Sequence, residues 1–523
     1  MKYYPIHMHL HCAHEATASI GSHMSHAKAL EIEYLWLTEH DSRIGKPKGK
    51  YFGFSFPEPK LWVHLPDIGR DAGFQETEEN TGSYAFEKAD NKIALQICAE
   101  KGQRESLHFH SQAKKHSDPL LAGVTVELDA DIELDGGRAI VEFILSAQPP
   151  TYLQARLRYV LGATPSEAEL VQNLPFPEKK DGKYRFTLSA DVSEKIGGLD
   201  NGLCNLKLIA ENGAVIRLRT LDFYRELEYE KARQAQIVLA EQLGKQWGVT
   251  PFVGFEVSCA GNHKNCFSTK VPVIEYAAYD YKVSNEQSVE HLQKHHAVYS
   301  WNHPFSEHGC KGQTKEEIFE EKAQQLIHAR VYGAHLMEVG FPYTRGGFEV
   351  EYYLRLWDRL SASGILITGE GDSDNHHATP EGWTTGNNFC SFAGLYEDEQ
   401  PTEENFQKAF QRGTLWGGNP VVIRQLSFTG DGKEQGSLIR GEQAEISFSA
   451  NGIQCDGYAV CISNGKEVAR LPFRHGNVAG NWVLANEQTY NFARVELYNE
   501  KNVLIAFSNP IYLVAEKTEI EER

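Results

Sequence analysis

Three histidines near the start of the chain have a spacing that could bind a metal ion. His7, His9 and His11 occur at every second residue of the segment KYYPIHMHLHC. Side chains alternate between the two faces of a β-strand, so a strand here would place all three imidazoles on one face. The pattern is equally compatible with solvated imidazoles or with core imidazoles satisfied by hydrogen bonds, so it decides nothing alone.

Further imidazoles and carboxylates lie at the ends of other apolar segments. His40 is near the end of LWLTEHD, Glu256 lies in TPFVGFEVS, and His303 follows VYSWN. The segment ILITGE is followed by Asp372, Asp374, His376 and His377. A carboxylate between Phe255 and Val257 is costly to bury unless it is paired or binds a cation. Glu256 could pair with a lysine and His303 could mark only a turn, but the set together predicts a metal site.

Imidazole and carboxylate ligands in combination suit Zn, Mn or Fe. The nine cysteines are scattered and include no Cys-x-x-Cys pair, which disfavours a structural zinc site. Their odd number also disfavours a disulfide framework. The segment MKYYPIHMHLHC lacks the charged region and apolar run of a signal peptide. We therefore predict a cytoplasmic protein with reduced thiols and no membrane association.

The elements that would position these residues alternate between strand and helix in two parts of the chain. Residues 1–50 and 226–419 show apolar strands alternating with helical segments, which predicts an α/β barrel in two pieces. In such barrels the active-site side chains lie at the C-terminal ends of the strands. Residues 51–225 predict an inserted jelly-roll-like β-sandwich, residues 420–515 a C-terminal Ig-like β-sandwich, and residues 516–523 a charged tail.

The composition is that of an ordinary soluble globular protein, with 523 residues, of which 41% are apolar and 24% charged. The net charge of -19 disfavours extended contact with nucleic acid, because such proteins neutralise several phosphates with Lys and Arg. Bound cations would offset part of this negative charge. A small substrate is therefore favoured.

Five short motifs resemble, in the same order, those of the polymerase and histidinol phosphatase (PHP) family. They are His7-x-His9 with Glu15, Thr38-Glu39-His40, Gly254-x-Glu256 with His263, His303-Pro304, and Asp374-x-His376. The resemblance covers the two βα parts of the chain. It implies a distorted (β/α)7 TIM-like barrel, a multinuclear site of two to three divalent ions and phosphoesterase activity. Glu39 replaces the usual Asp at a position that is not a ligand in the family pattern.

Carried over residue by residue, the resemblance implies three groups of metal ligands. His7, His9, Glu256 and Asp374 would bind one ion. Glu256 would bridge to a second ion held by His263 and His303. Glu15, His40 and His376 would bind a third. Three alternatives stay open: His9 with His11 in place of His7 with His9, His14 in place of Glu15, and His295 or His296 in place of His263.

Such a site would hydrolyse a phosphate ester with metal-activated hydroxide, and its catalytic residues would be Glu256, Asp374 and His303. Arg43 and Arg345 are candidates for binding phosphate oxygens, although either could be an ordinary surface charge. The expected partner is a small phosphorylated substrate, carbohydrate-linked phosphates included; the sequence does not fix the oligomeric state. Two alternatives compete: an amidohydrolase-type metal hydrolase acting on a C–N or C–O bond, and a non-catalytic glycan-binding protein.

Overall fold

A computed structural model of the chain describes residues 1–12, 20–41, 50–55, 62–65, 70–73, 84–89, 92–110, 124–147, 153–162, 171–188, 201–225, 229–259, 261–276, 283–305, 312–340, 347–375 and 389–519. The first part of the chain forms β1 (Lys2–Leu10), α1 (Ile20–Ala29) and β2 (Tyr34–Leu37). A run of strands without an intervening helix in the described residues follows: β3 (Lys50–Ser55), β4 (Trp62–Leu65), β5 (Arg70–Gly73), β6 (Tyr84–Ala89), β7 (Lys92–Cys98), β8 (Arg104–His110), β9 (Val124–Glu133), β10 (Arg138–Ala147), β11 (Leu153–Leu161), β12 (Val171–Pro175), β13 (Tyr184–Leu188), β14 (Asn201–Glu211) and β15 (Val215–Arg225).

Helices and strands then alternate, before the chain ends in strands alone. The alternating part comprises α2 (Tyr229–Trp247), β16 (Thr250–Val253), β17 (Phe255–Val257), β18 (Lys264–Cys266), α3 (Asn285–Lys294), β19 (Ser300–Trp301), α4 (Lys315–His328), β20 (Leu336–Gly340), α5 (Val350–Ala362), β21 (Thr368–Gly371), β22 (Cys390–Leu395), α6 (Glu403–Arg412) and β23 (Leu415–Gly418). The final strands are β24 (Gln425–Gly430), β25 (Lys433–Glu434), β26 (Leu438–Arg440), β27 (Gln443–Ile453), β28 (Gly457–Ser463), β29 (Lys466–Phe473), β30 (Gly476–Ala485), β31 (Asn491–Asn499), β32 (Leu504–Ser508) and β33 (Ile511–Val514).

Local sequence explains where the helices near the site begin and end. Ser284 and Gln287 form a capping box at the start of α3, and Thr314 and Glu317 form one at the start of α4. In each box the hydroxyl accepts from a backbone N–H that has no partner within the helix. Helix α6 ends at Gly413, whose φ of 73° is the left-handed conformation that glycine adopts at low cost.

Strand β1 lies between parallel and antiparallel neighbours. On one side β1 pairs parallel with β2, which pairs parallel with β16. On the other side β1 pairs antiparallel with β22, with Pro5 opposite Phe392. The sheet then continues through β23 to β32, β31, β28 and β29. Strands β19, β20 and β21 form a separate parallel sheet of three strands, and β17 and β18 form a two-stranded hairpin.

The prediction of a distorted (β/α)7 barrel is therefore wrong. The described residues are mostly strand and contain only six short α-helices. A seven-stranded βα barrel needs more helices than that, and the described strands do not close into a barrel. The physical reason is the pairing of β22, which bonds to β1 on one side and to β23 on the other. Strand β23 pairs with β32, so the sheet of β1 continues into the C-terminal strands instead of closing.

The inserted strands form two β-sandwich-like sheets. One sheet has the order β12-β11-β10-β14-β8, and the other has β13-β9-β15-β7-β6 with β3 on β15. Phe143 from the first sheet and Val126 from the second are fully buried in one shared core. The insert also begins and ends at neighbouring points, since Lys50 pairs with Tyr224. A β-sandwich in this part of the chain was predicted, and sheets of this kind are present.

The C-terminal strands also form facing sheets. The sheet β25-β24-β27-β30 shares a core with β31 and β33, in which Phe428, Ile446, Leu497 and Ile511 are buried. Strands β31 and β33 also belong to the sheet of β1, so the C-terminal strands continue that sheet. No helix in the described residues has the length and apolar character needed to span a membrane.

Candidate metal centre

The ends of several strands meet at one place, and isolated backbone bridges hold them together. Leu10, at the end of β1, bridges to Asn375 beyond β21, and His40 beyond β2 bridges to Glu256 in β17. The backbone N–H of Glu256 also donates to the carbonyl of Glu39 at 2.8 Å. Side chains from segments far apart in sequence therefore face one small volume.

Glu256 lies at the centre of this volume and is fully buried. Its Oε1 is 3.3 Å from His9 Nε2 and 3.3 Å from His303 Nε2. Its Oε2 is 2.7 Å from His40 Nδ1 and 3.1 Å from His263 Nδ1. The two oxygens of one carboxylate therefore face different pairs of imidazoles, which is the arrangement of a carboxylate that can bridge two cations.

A second set of donors surrounds His9. Its Nε2 is 2.9 Å from His11 Nε2 and 3.6 Å from Asp374 Oδ1. Asp374 Oδ1 is also 3.0 Å from His11 Nε2, and Glu256 Oε2 is 3.6 Å from the same nitrogen. Four donor groups thus converge on one point: His9, His11, Glu256 and Asp374.

His7 occupies a different position, although period two puts it on the same strand face. Its Nε2 lies 2.8 Å from Ser373 Oγ. Burial, with His23 and His9 nearby, holds the pKa of His7 well below its usual range. The structure thus brings His9 and His11, rather than His7 and His9, to Glu256 and Asp374. This is the alternative pair that the sequence left open.

Glu338, in the middle of β20, contacts two of the candidate ligands. Its Oε1 lies 2.5 Å from His9 Nδ1, and its Oε2 accepts a hydrogen bond from the backbone N–H of His303. Glu338 is fully buried. The sequence prediction missed it, although Glu338 stands between Met337 and Val339 in an apolar strand, which is the signal that singled out Glu256.

Two more buried carboxylates lie close to Glu338. Glu370 is directly opposite it in the register of β20 and β21, and Asp372 follows β21. Both carboxylate oxygens of Asp372 are buried without a hydrogen-bond partner in the described residues. Burial, with Glu338 as the next cause, raises the pKa of Glu370 to about 8 and raises the pKa of Asp372 well above its usual value. This part of the site therefore has an excess of negative charge for which a bound cation would compensate.

The same charge imbalance acts on the central groups. Burial opposes ionisation of Glu256, but the imidazoles of His263, His40 and His9 outweigh it and hold the pKa of Glu256 well below its usual range. Burial likewise opposes the charged form of His9, but Asp374, Glu256 and Glu338 outweigh it and raise the pKa of His9. The raised pKa favours the protonated form of His9, whose positive charge offsets part of the negative charge of these carboxylates.

Three groups of side chains have the geometry to hold a metal ion, with their ligand atoms within 4.8 Å of one another. They are His9 with His11 and Glu256, His40 with Glu256 and His263, and His9 with Glu338 and Asp372. The donor set is entirely imidazole and carboxylate, which fits a transition metal or another divalent ion. Buried His, Glu and Asp groups that could hold a metal ion were predicted from the sequence, and the structure contains them.

Neighbouring polar groups fix the geometry of the donors. Asn302 Nδ2 donates to Glu256 Oε1 at 2.7 Å, while its Oδ1 accepts from the hydroxyl of Ser300 at 2.6 Å. His303 and Asp374 have positive φ angles of 25° and 47°. A non-glycine residue held in this region is strained, and such strain persists where the surrounding structure requires it.

The remaining predicted residues divide into two classes. Glu15, its alternative His14, His376, Arg43 and Arg345 lie outside the described residues. His296, offered as an alternative to His263, is exposed and lines a cavity of about 510 Å³ with Arg330 and His335. That cavity is at the N-terminal ends of β19 to β21, whereas Glu338 and Asp374 lie toward their C-terminal ends.

Comparisons with known proteins leave the chain without a family. No family model matches the sequence, and no curated protein matches it. An exo-β-agarase structure aligns at 7% identity and a TM-score of 0.16, covering 29% of this chain, which spans only 23% of the agarase. A carbohydrate-binding module specific for non-crystalline cellulose aligns at 15% identity and 0.13, over 27% of this chain and 77% of the module. An engineered protein aligns at 11% identity and a TM-score of 0.15, over 55% of this chain and 74% of the engineered protein. Likenesses this weak carry no argument about fold or function.

Proposed function

We propose that the chain is a metal-dependent hydrolase, and that its reaction is the hydrolysis of a phosphate ester at a multinuclear site. The observation that carries this proposal is the environment of Glu256. Its two oxygens face separate imidazole pairs at 2.7 to 3.3 Å. A structural ion pair would need only one cationic partner, whereas a carboxylate shared in this way suits two adjacent cations.

The proposed ions are two to three divalent metals, with Zn, Mn and Fe as the candidates because the donors are imidazole and carboxylate. His9, His11, Glu256 and Asp374 would hold one ion. His40, Glu256 and His263 would hold a second. His303 faces the other oxygen of Glu256, Oε1. Membership of the PHP family also stays a proposal, and it rests on the five ligand motifs rather than on a barrel.

When bound, such a pair of ions lowers the pKa of a coordinated water and stabilises the charge that develops on the phosphoryl oxygens. The residues of the chain hold this arrangement in place. Glu256 would keep the two groups of ligands together, and Asn302 orients its Oε1. Two further polar side chains line the site: His303, whose Nε2 is 3.3 Å from that oxygen, and Asp374. His9, His11 and Glu256 are fully buried, which keeps bulk water away from this group of ligands.

The proposed substrate is a small phosphorylated molecule, carbohydrate-linked phosphates included, acted on in the cytoplasm. Arg43 and Arg345 remain the proposed contacts to its phosphate oxygens. The net charge of -19 supports a small substrate over a polynucleotide.

The test is a phosphoester screen with the Mn- or Zn-loaded full chain and a Glu256→Gln variant. Gln keeps the size of the side chain but removes the charge, so activity should fall at least ~100-fold, the scale on which metal-site residues act. Glu127→Gln is the matched control, because Glu127 is also buried but pairs with Lys183 and Arg185 in the inserted sheets. A metal-loaded protein that cleaves an amide, lactone or glycoside but no phosphoester would refute the phosphate assignment.

A further inference from the structure

Glu338 is connected to two candidate ligands from the side opposite the proposed ions. Its Oε1 lies 2.5 Å from Nδ1 of His9, while the other ring nitrogen, Nε2, faces Glu256, His11 and Asp374. Its second oxygen accepts from the backbone N–H of His303. One buried carboxylate therefore holds the ring of His9 and the backbone of His303 together.

The chemistry of imidazole gives this contact a consequence. A neutral imidazole has one protonated nitrogen and one nitrogen with a free lone pair. A carboxylate that accepts the Nδ1 proton leaves the lone pair on Nε2, which is the nitrogen that faces the other ligands here. Carboxylates in this position fix the tautomer and ring orientation of metal-binding histidines and raise their basicity.

We propose that Glu338 is a positioning residue of the metal centre, which holds His9 in the Nδ1-protonated tautomer and fixes the place of His303. This inference rests on the proposed function, since it assigns to His9 the role of a metal ligand. This proposal assigns the contact between Glu338 and His9 Nδ1 to a hydrogen bond rather than to an ion held by His9, Glu338 and Asp372. Glu338 acts through His9 and His303.

Glu127 provides a matched control outside the site. It is buried like Glu338, but its carboxylate pairs with Lys183 and Arg185 in the inserted sheets. Replacing it with Gln removes one buried negative charge without changing any candidate ligand.

The experiment compares the metal affinity of wild type, Glu338→Gln, Glu338→Asp and Glu127→Gln in the full chain, by competition with a chelating dye for Mn or Zn. Glu338→Gln should bind metal 10- to 100-fold more weakly, the usual cost of losing an outer-shell partner. Glu338→Asp keeps the charge on a shorter side chain and should recover part of this loss. Glu127→Gln should match wild type.

A second measurement reads the tautomer directly. NMR of histidine-labelled, Zn-loaded protein should show His9 with its proton on Nδ1 in wild type. The Nδ1–H proton resonance should lie downfield because a carboxylate accepts its hydrogen bond, and it should move upfield in Glu338→Gln. The resonance is assigned by its loss in His9→Ala. A carboxylate that did not accept from His9 would not move this resonance, and a wild-type His9 protonated on Nε2 overturns the assignment even where Glu338→Gln fails to fold.

The outcomes separate this inference from the proposed function. A wild-type protein that binds no metal overturns both. A wild type that binds metal, with a Glu338→Gln variant of equal affinity, overturns the role of Glu338 alone. Equal losses in Glu338→Gln and Glu127→Gln, or a wild-type His9 protonated on Nε2, also overturn that role and leave the proposed function standing.

Discussion

Replacing His11 and His7 separately tests which imidazoles of β1 bind metal. His11 Nε2 is 2.9 Å from His9 Nε2 and 3.0 Å from Asp374 Oδ1, so His11→Ala removes a ligand from the group. The metal affinity should fall at least ~100-fold, which is the upper end of the range for losing an outer-shell partner. At ~1.4 kcal/mol per tenfold this is about 2.8 kcal/mol of binding free energy.

His7→Ala should behave differently because His7 Nε2 lies 2.8 Å from Ser373 Oγ, and none of the three possible metal groups in the described residues includes His7. The variant loses a buried hydrogen bond of about 1 kcal/mol and leaves a cavity in a fully buried region. The free energy of unfolding of the metal-free protein should fall by about 2–4 kcal/mol, while metal affinity stays at the wild-type level.

The assay for both variants combines two measurements. Competition with a chelating dye gives the metal affinity, and urea denaturation in EDTA gives the free energy of unfolding. The reasoning is refuted if His7→Ala loses its metal while His11→Ala keeps it, because the pair His7 and His9 would then be the ligands.

Three further predictions concern stability. Between about pH 5 and 8 the metal-free protein should become less stable as pH rises, because the raised pKa of Glu370, about 8, makes the folded state bind more protons than the unfolded state. Glu370 contributes up to about 1.4 kcal/mol per pH unit to the slope of the unfolding free energy against pH. Urea denaturation at several pH values should show a smaller slope in Glu370→Gln. Asp358→Asn removes one of the carboxylates that pair with the fully buried Arg494, at 2.8 and 2.9 Å. It should lower the unfolding free energy by about 3 kcal/mol; a loss below 1 kcal/mol would contradict the importance of this pair. Because Lys50 pairs with Tyr224, a short Gly-Ser linker in place of residues 51–225 should leave a soluble protein that keeps its metal, and loss of both on elemental analysis would count against the insert boundaries.

Much of the candidate site could be predicted from the sequence because burying an ionisable side chain among apolar residues costs free energy. A carboxylate such as Glu256 between apolar neighbours needs a partner, and that need is visible locally. Glu338 carries the same signal in Leu-Met-Glu-Val-Gly, but no motif accompanied it. The choice between His7 and His11 could not be made, since period two puts both on one strand face and the deciding contact, Ser373, is far away in sequence.

The fold was harder to predict because strand partners are not encoded locally. The βα alternation correctly indicated parallel strands such as β1 with β2 and β20 with β21. Whether those strands close into a barrel depends on which strands pair at the two edges of the sheet. The antiparallel pairing of Pro5 with Phe392 joins residues at opposite ends of the alternating region. No residue pattern near either residue predicts this pairing.

Metal content tests the central claim most directly. Protein purified without chelator, loaded with Mn or Zn and desalted, should contain two to three ions per chain by elemental analysis. Glu256→Gln should retain fewer ions than wild type, while Glu127→Gln retains the same number. No more than a trace of metal in the loaded wild-type protein would contradict the assignment of this buried histidine and carboxylate cluster as a metal centre.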